Sequence, residues 1–268
     1  MNAIDYSGKK IVVTGGFSGI GAALITLLKE NGAKDITVLD IKQPKGSSEK
    51  FIETNLGDPA SVDAAAAAIG SGVDILFNNA GISGVNSPLL VAQVNTLGLK
   101  RLTEKLLPDM NSGGTVVNTA STAGGQWPER LEPIMELLAI DDWDQACDWL
   151  GSHSETVADG YFFSKECVQV YTMLISRRAM QAGIRVNSIC PSPVETALLP
   201  EFRKTISDEI IDWSINDGAG RVAQPEDMAK VLLFLGSDLS SYMSGVNLIV
   251  DGGFNASLRT GQVSMPGS

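Results

Sequence analysis

From Lys10 onward the chain alternates short runs rich in apolar and β-branched residues with longer stretches of helix formers. The runs are IVVTG, DITVLD, KFIET, VDILFNNAG, GTVVNTAS, IRVNSICP and VNLIVDGG. No other feature limits the fold as much. Strands separated by helix-length segments return parallel to one another, and a parallel sheet buries both faces under helices. Right-handed crossovers lay those helices on alternate faces. The pattern predicts an α/β fold, a doubly wound parallel seven-stranded sheet, with residues 1–268 forming a single domain. Ligands of such sheets sit outside the carboxyl ends of the strands.

Two segments break the rhythm. Residues 126–155 form an acidic insertion in which LEPIMELLAI and DDWDQACDWL read as two short amphipathic helices. Residues 197–220, with LLPEFRKTISDEIIDWSIND, read as a second helical excursion from the sheet edge. Between them a long helix is expected over 157–182. The polar tail from Leu258 to Ser268 is expected to be mobile at its end.

Composition narrows the partners. Twenty Lys and Arg against 31 Asp and Glu leave a net charge of −11, which repels nucleic-acid phosphates and anionic membrane surfaces. Neither partner is expected. Cys147, Cys167 and Cys190 show no CxxC spacing, and His153 is the one histidine, so they read as free thiols and no metal site is predicted. The polar start lacks the pattern of a secretory signal, and no run approaches the ~18 apolar residues of a membrane span. A cytoplasmic protein is expected.

The first strand runs into TGGFSGIG, which places Gly15, Ser18, Gly19, Ile20 and Gly21 at a strand-to-helix turn. Glycines there allow a tight turn and close backbone approach, so amides at the helix N-terminus can meet a diphosphate. Asp40 follows Gly21 by 19 positions, at the end of the next strand. A carboxylate there accepts from adenosine ribose hydroxyls and repels a 2′-phosphate, which favours NAD over NADP. Lys42, on the adjoining loop, is the one feature pointing toward a phosphate. Further on, Tyr161 precedes Lys165 by four, so on a helix the two share a face. An ammonium beside a phenol favours the phenolate, the form that acts as general base in alcohol oxidation.

The order of these motifs, from Gly8 to Asn255, resembles the short-chain dehydrogenase/reductase family. The residues that carry it are TGGFSGIG, NNAG at 78–81, Asn95, VVNTAS ending at Ser121, YFFSK at 161–165, ICPSPVET and DGG. The resemblance implies a Rossmann-type fold, a bound nicotinamide dinucleotide, and a homodimer or homotetramer built on the helices carrying Asn95 and Tyr161. It implies Tyr161 as general acid/base, Lys165 as holder of the nicotinamide ribose and tuner of the tyrosine, Ser121 as partner of the substrate oxygen, and Asn95 as support for a water relay. For the cofactor it adds Asn55, Leu56, Asn78, Asn79 and Ala80 on the adenosine side, with Gly81 letting the backbone approach. Pro191, Val194 and Thr196 lie along the carboxamide and diphosphate. The chain departs from the family at Ser192, where glycine is usual, and at Asn55, where aspartate is common.

Ser121 and Tyr161 are 40 apart, more than the short separation usual in the family, and the excess is the 126–155 insertion. In this the chain resembles a bacterial subgroup that includes 3α-hydroxysteroid and coniferyl-alcohol-type dehydrogenases. A bulky, largely apolar alcohol, a hydroxysteroid or an aryl-allyl alcohol, is the expected substrate. Trp127, Trp143, Trp149, Leu198, Leu199, Phe202 and Trp213 offer apolar walls and a lid, although the insertion helices serve a subunit interface equally well on this reading. A reductase of small ketones, a nucleotide-sugar epimerase or dehydratase, and a catalytically idle dinucleotide sensor stay open as alternatives.

Overall fold

A computed structural model describes residues 4–43 and 49–264. All seven strands join one parallel sheet: β1 (Lys10–Thr14), β2 (Asp35–Asp40), β3 (Lys50–Glu53), β4 (Ile75–Asn78), β5 (Thr115–Thr119), β6 (Arg185–Pro191) and β7 (Asn247–Val250). Their order across the sheet is β3-β2-β1-β4-β5-β6-β7. The chain therefore reverses its direction of winding between β1 and β4, where Thr14 lies level with Asn78, and a crevice opens there at the carboxyl ends.

Period-two alternation assigns each strand residue to one of two cores. Ile11, Val13, Ile75, Phe77, Val117 and Ile189 pack under α1 (Gly19–Glu30) and, later in the chain, under Met228 and Leu232 of the penultimate long helix. Val12, Leu76, Val116 and Val186 face the other way. That side is covered by α2 (Pro59–Ile69), by α3 (Pro88–Ala92) continuing through a π-helical stretch (Gln93–Gly98) into α4 (Leu99–Leu106), and by the long helix that begins at Tyr161.

After β5 a 3-10 segment (Thr122–Arg130) leads into α5 (Leu131–Ala139) and α6 (Trp143–Ser152), the two short helices read from the insertion. Their apolar stripes, Ile134, Leu137, Leu138, Ala146 and Leu150, are buried within this chain, in the core that includes Phe163, Cys167 and Val170 of α7 (Tyr161–Gln181). α7 begins at Tyr161 rather than at 157. Gly160 takes φ +43° beside Pro88, a conformation that interrupts a helix, and residues before it run in turns. α8 (Leu199–Thr205) and α9 (Asp208–Asn216) make up the second excursion, and α10 (Pro225–Gly236) returns the chain to the sheet. α11 (Phe254–Arg259) follows β7, so the first two residues of the polar tail are helical; 265–268 lie outside the described residues. No helix among the described residues is long and apolar enough to cross a membrane.

Candidate active site

At the carboxyl end of β1 the three glycines each make room for something different. Gly15 takes φ +70°, and a Cβ there would lie 2.7 Å from Ala80 Cα. Gly19, at φ +56°, faces Thr196, whose Cγ2 would be 3.1 Å from such a Cβ. On Gly21 it would lie 2.1 Å from the Gly15 carbonyl oxygen and 2.8 Å from Asn79 Nδ2, so helix and turn approach as closely as backbone allows. Ser18 caps α1 in an extended conformation without its side chain bonding an amide, and the first turn, which includes Ile20, holds no acidic residue. The helix terminus thus keeps its field for an external anion.

Thr14 Oγ1 accepts from both Asn79 N at 3.0 Å and Ala80 N at 2.9 Å, tying the end of β1 to the loop after β4. Asp40 accepts from Phe17 N at 3.0 Å and from Lys42 N at 3.2 Å, so its carboxylate stands over the glycine turn. Lys42 Nζ lies 5.8 Å from the centre of the Phe17 ring. Val194 is buried and bridges to Ala223, while Thr196 faces the turn. The buried Pro191 offers its carbonyl to Thr122 Oγ1 at 3.1 Å. A dinucleotide diphosphate fits this cradle, because the missing Cβ atoms let the turn, the loop after β4 and Thr196 close up around a helix terminus that no side chain caps.

One predicted contact differs in place. Asn78 does not line the adenosine side: its side chain is buried beneath the sheet end, donating to Thr103 Oγ1 and Asn118 Oδ1, both at 2.9 Å. Strand alternation turns it inward and leaves the crevice to its neighbour Asn79. Asn55 is exposed, but its Oδ1 already accepts from Gly57 N at 2.9 Å. Leu56 is buried, and its carbonyl oxygen would lie 2.1 Å from a Cβ on Gly98.

The four predicted catalytic side chains come from three elements, Tyr161 and Lys165 sharing α7, and converge. Asn95, fully buried in the π-helical stretch, accepts from Ile82 N at 2.8 Å and donates to Ile82 O at 3.0 Å and Ser164 Oγ at 3.1 Å. π-helical turns cluster at functional sites because the wider turn redirects a side chain and loosens backbone pairing. A Cβ on Gly81 would lie 3.2 Å from Asn95 Oδ1 and 3.5 Å from Lys165 Nζ, so this glycine opens the space between them. Lys165 is buried; its Nζ donates to Thr119 O at 2.8 Å and lies 5.7 Å from the Tyr161 ring centre. Ser121, at the end of β5, caps the 3-10 segment by accepting from Ala123 N at 3.1 Å.

Burial pushes the Tyr161 phenol up to about 12, against the pull of the Ser121 hydroxyl beside it. Burial also brings the Lys165 ammonium down to about 8, with Cys190 opposing. The spacing predicts that the lysine draws the phenol downward; here its ammonium donates to the Thr119 carbonyl, and the phenol's position is set by burial and the Ser121 hydroxyl. The phenol is held neutral, ready to donate.

Over Tyr161 lies α8. The Phe202 and Tyr161 rings are 4.8 Å apart, and Glu201 accepts a short hydrogen bond from the fully buried Ser83. Of the aromatic residues singled out in the sequence, Phe202 is the one whose ring packs on the tyrosine, tilted by 53°; Trp149 stacks on His153 and Phe163, and Trp213 meets Phe254. Motif reading includes Thr14 in TGGFSGIG without giving it a role, and misses Ser83, Glu201 and Gln169. Only Gln169 left a signal, its spacing of four from Lys165 on the same helical face.

A dinucleotide cradle beside Ser121, Tyr161 and Lys165 stands together with the likeness of this sequence to known dehydrogenases and reductases. The short chain dehydrogenase family model matches residues 9–131, and the enoyl-(acyl carrier protein) reductase model matches residues 150–255. Coniferyl-alcohol dehydrogenase from Pseudomonas sp. (strain HR199 / DSM 7063) is 35% identical over 254 residues, covering 93% of this chain and 98% of that protein.

The chain belongs to the short-chain dehydrogenase family.

Another relative, the 3-oxoacyl-[acyl-carrier-protein] reductase of Chlamydia pneumoniae, is 28% identical, with 93% of this chain and 98% of that one covered. Among solved structures of short-chain dehydrogenases, the 3-alpha-hydroxysteroid dehydrogenase from Pseudomonas sp. B-0831, complexed with NADH, superposes with a TM-score of 0.80. It is 27% identical over 94% of this chain and 99% of that one. This short-chain dehydrogenase is thus an oxidoreductase with alcohol dehydrogenases among its relatives.

Proposed function

We propose that the protein is an NAD-dependent oxidoreductase that interconverts a bulky, largely apolar alcohol, an aryl-allyl alcohol or hydroxysteroid, with its carbonyl. The observation that carries this reading is the meeting of Ser121, Tyr161 and Lys165 beside the glycine cradle and beneath the apolar face of α8. Asp40 supports NAD over NADP, since its carboxylate at the end of β2 repels a 2′-phosphate. The relatives named for coniferyl alcohol and a 3α-hydroxysteroid support the substrate class.

The glycine turn, Asp40, Thr196 and Lys165 would hold NAD, which would supply the hydride chemistry: acceptance from an alcohol carbon when oxidised, donation to a carbonyl when reduced. The residues handle the proton. Ser121 Oγ hydrogen-bonds the substrate oxygen and holds it against Tyr161 Oη. In carbonyl reduction Tyr161 Oη, neutral in the free protein, gives its proton to that oxygen; in oxidation its phenolate takes the hydroxyl proton. Lys165 binds the ribose and favours the phenolate once its ammonium turns from Thr119 toward the phenol. Asn95 holds the Ile82 backbone in place and supports the water relay that returns the proton to solvent. Phe202 and Leu199 of α8 exclude water from above. The enzyme works in the cytoplasm as a homodimer or homotetramer.

Absorbance at the reduced-nicotinamide band, with NAD or NADP and a panel of coniferyl and cinnamyl alcohols, hydroxysteroids and small secondary alcohols, tests the reading. Turnover with NAD on a bulky alcohol is expected. NADH binding without turnover on any member would overturn it in favour of an idle sensor, and preference for small alcohols would overturn the substrate class.

A further inference from the structure

Ser121 and Tyr161 are separated by the whole insertion, so their relative placement needs contacts other than a short connection. α7 supplies them. Its residues at 161, 165 and 169 recur every four positions and therefore share one face. The third, Gln169, is buried, and its Nε2 donates to the Ser121 carbonyl oxygen at 2.8 Å. The same face packs the following turn against α7 through Gly124: a Cβ there would lie 2.6 Å from Lys165 O and 2.7 Å from Gln169 Nε2. Gln169 is itself fixed, since its own carbonyl accepts from Asn247 Nδ2 at 3.2 Å. At the far end of the 3-10 segment Arg130 meets the buried Glu166 at 2.7 Å and lies over the Phe163 ring.

We propose that Gln169 is a positioning residue that sets Ser121 against Tyr161 by holding the Ser121 main-chain carbonyl. It touches neither substrate nor cofactor. Its amide fixes the backbone from which Oγ projects, and the glycine contact beside it prevents the turn from sliding along α7. The inference rests on the proposed role of Ser121 in holding the substrate oxygen.

Gln169→Met keeps the volume and removes the donor. With the fastest alcohol of the panel and NAD, kcat should fall about ten- to hundredfold, with KM for NAD within about threefold. In a Ser121→Ala background the same substitution should change kcat by less than about twofold, because the group it positions is gone. A second variant gives an independent readout. Gln169→Glu restores the donor only when protonated, and a buried carboxyl facing a carbonyl is held protonated to higher pH. Its kcat relative to wild type should therefore fall as pH rises. An equal loss from Gln169→Met in both backgrounds, or a pH-independent ratio for Gln169→Glu, would overturn the inference while leaving the function intact. If Ser121→Ala alone left kcat unchanged, the role of Ser121 would fail, and the positioning role with it.

Discussion

Replacing Lys165 by methionine should make the protein more stable at neutral pH and inactive. Burial brings this ammonium from its ordinary 10.5 down to about 8. At ~1.4 kcal/mol per pKa unit, keeping the side chain charged in the fold costs about 3 kcal/mol below pH 8. Methionine keeps an apolar stem and drops the charge, but it leaves the Thr119 carbonyl, now 2.8 Å from Nζ, without its donor. That loss costs ~1–2 kcal/mol, so a net gain of about 1–2 kcal/mol, or roughly 3–6 °C in Tm, is expected at pH 7. The sign changes with pH. Because the folded pKa is depressed, the unfolded chain still binds a proton between pH 8 and 10.5 that the folded chain has released, and wild-type stability rises through that window. By pH 10 the penalty has largely gone while the missing hydrogen bond remains, so wild type should be the more stable protein. Tyr161 titrates in both and cancels in the difference. Thermal unfolding followed by circular dichroism at pH 7 and pH 10 reads this directly. A Lys165→Met protein less stable at pH 7, or a Tm difference that does not move with pH, would refute the reasoning.

Two further outcomes follow from the site. Since the phenol is pushed up to about 12, kcat/KM for alcohol oxidation should rise from pH 7 to 10 while carbonyl reduction stays nearly flat, as initial rates in the two directions would show. Asp40→Ala removes the charge that excludes a 2′-phosphate, and the preference for NAD over NADP should drop about tenfold or more in kcat/KM; an unchanged ratio would remove Asp40 from cofactor choice.

The architecture was legible because strand residues alternate between two buried faces: Val12 and Val13, or Leu76 and Phe77, can be read as belonging to opposite cores without coordinates. The insertion helices were legible for the same reason, from their apolar stripes. Where periodicity met a single backbone conformation it failed, and α7 starts at Tyr161 because Gly160 adopts a positive φ beside Pro88, a tertiary circumstance. The asparagine pair shows the limit of motif reading, since strand parity sends Asn78 inward and leaves Asn79 at the crevice. The tuning of Tyr161 could not be read from its spacing to Lys165, which puts the two on one face but says nothing of the Thr119 carbonyl that engages the ammonium. Nor does sequence show which aromatics face the site. Trp149 and Phe202 look equivalent on paper, yet one packs into the insertion and the other onto the tyrosine.

The most direct test of the account is kcat for the best alcohol with NAD in wild type and Tyr161→Phe, with NADH affinity measured in parallel. The account predicts a loss of about 10²–10⁴-fold in kcat with NADH affinity nearly unchanged. A Tyr161→Phe protein that still turns over at the wild-type rate would contradict it, because the proton would then be passing through another group.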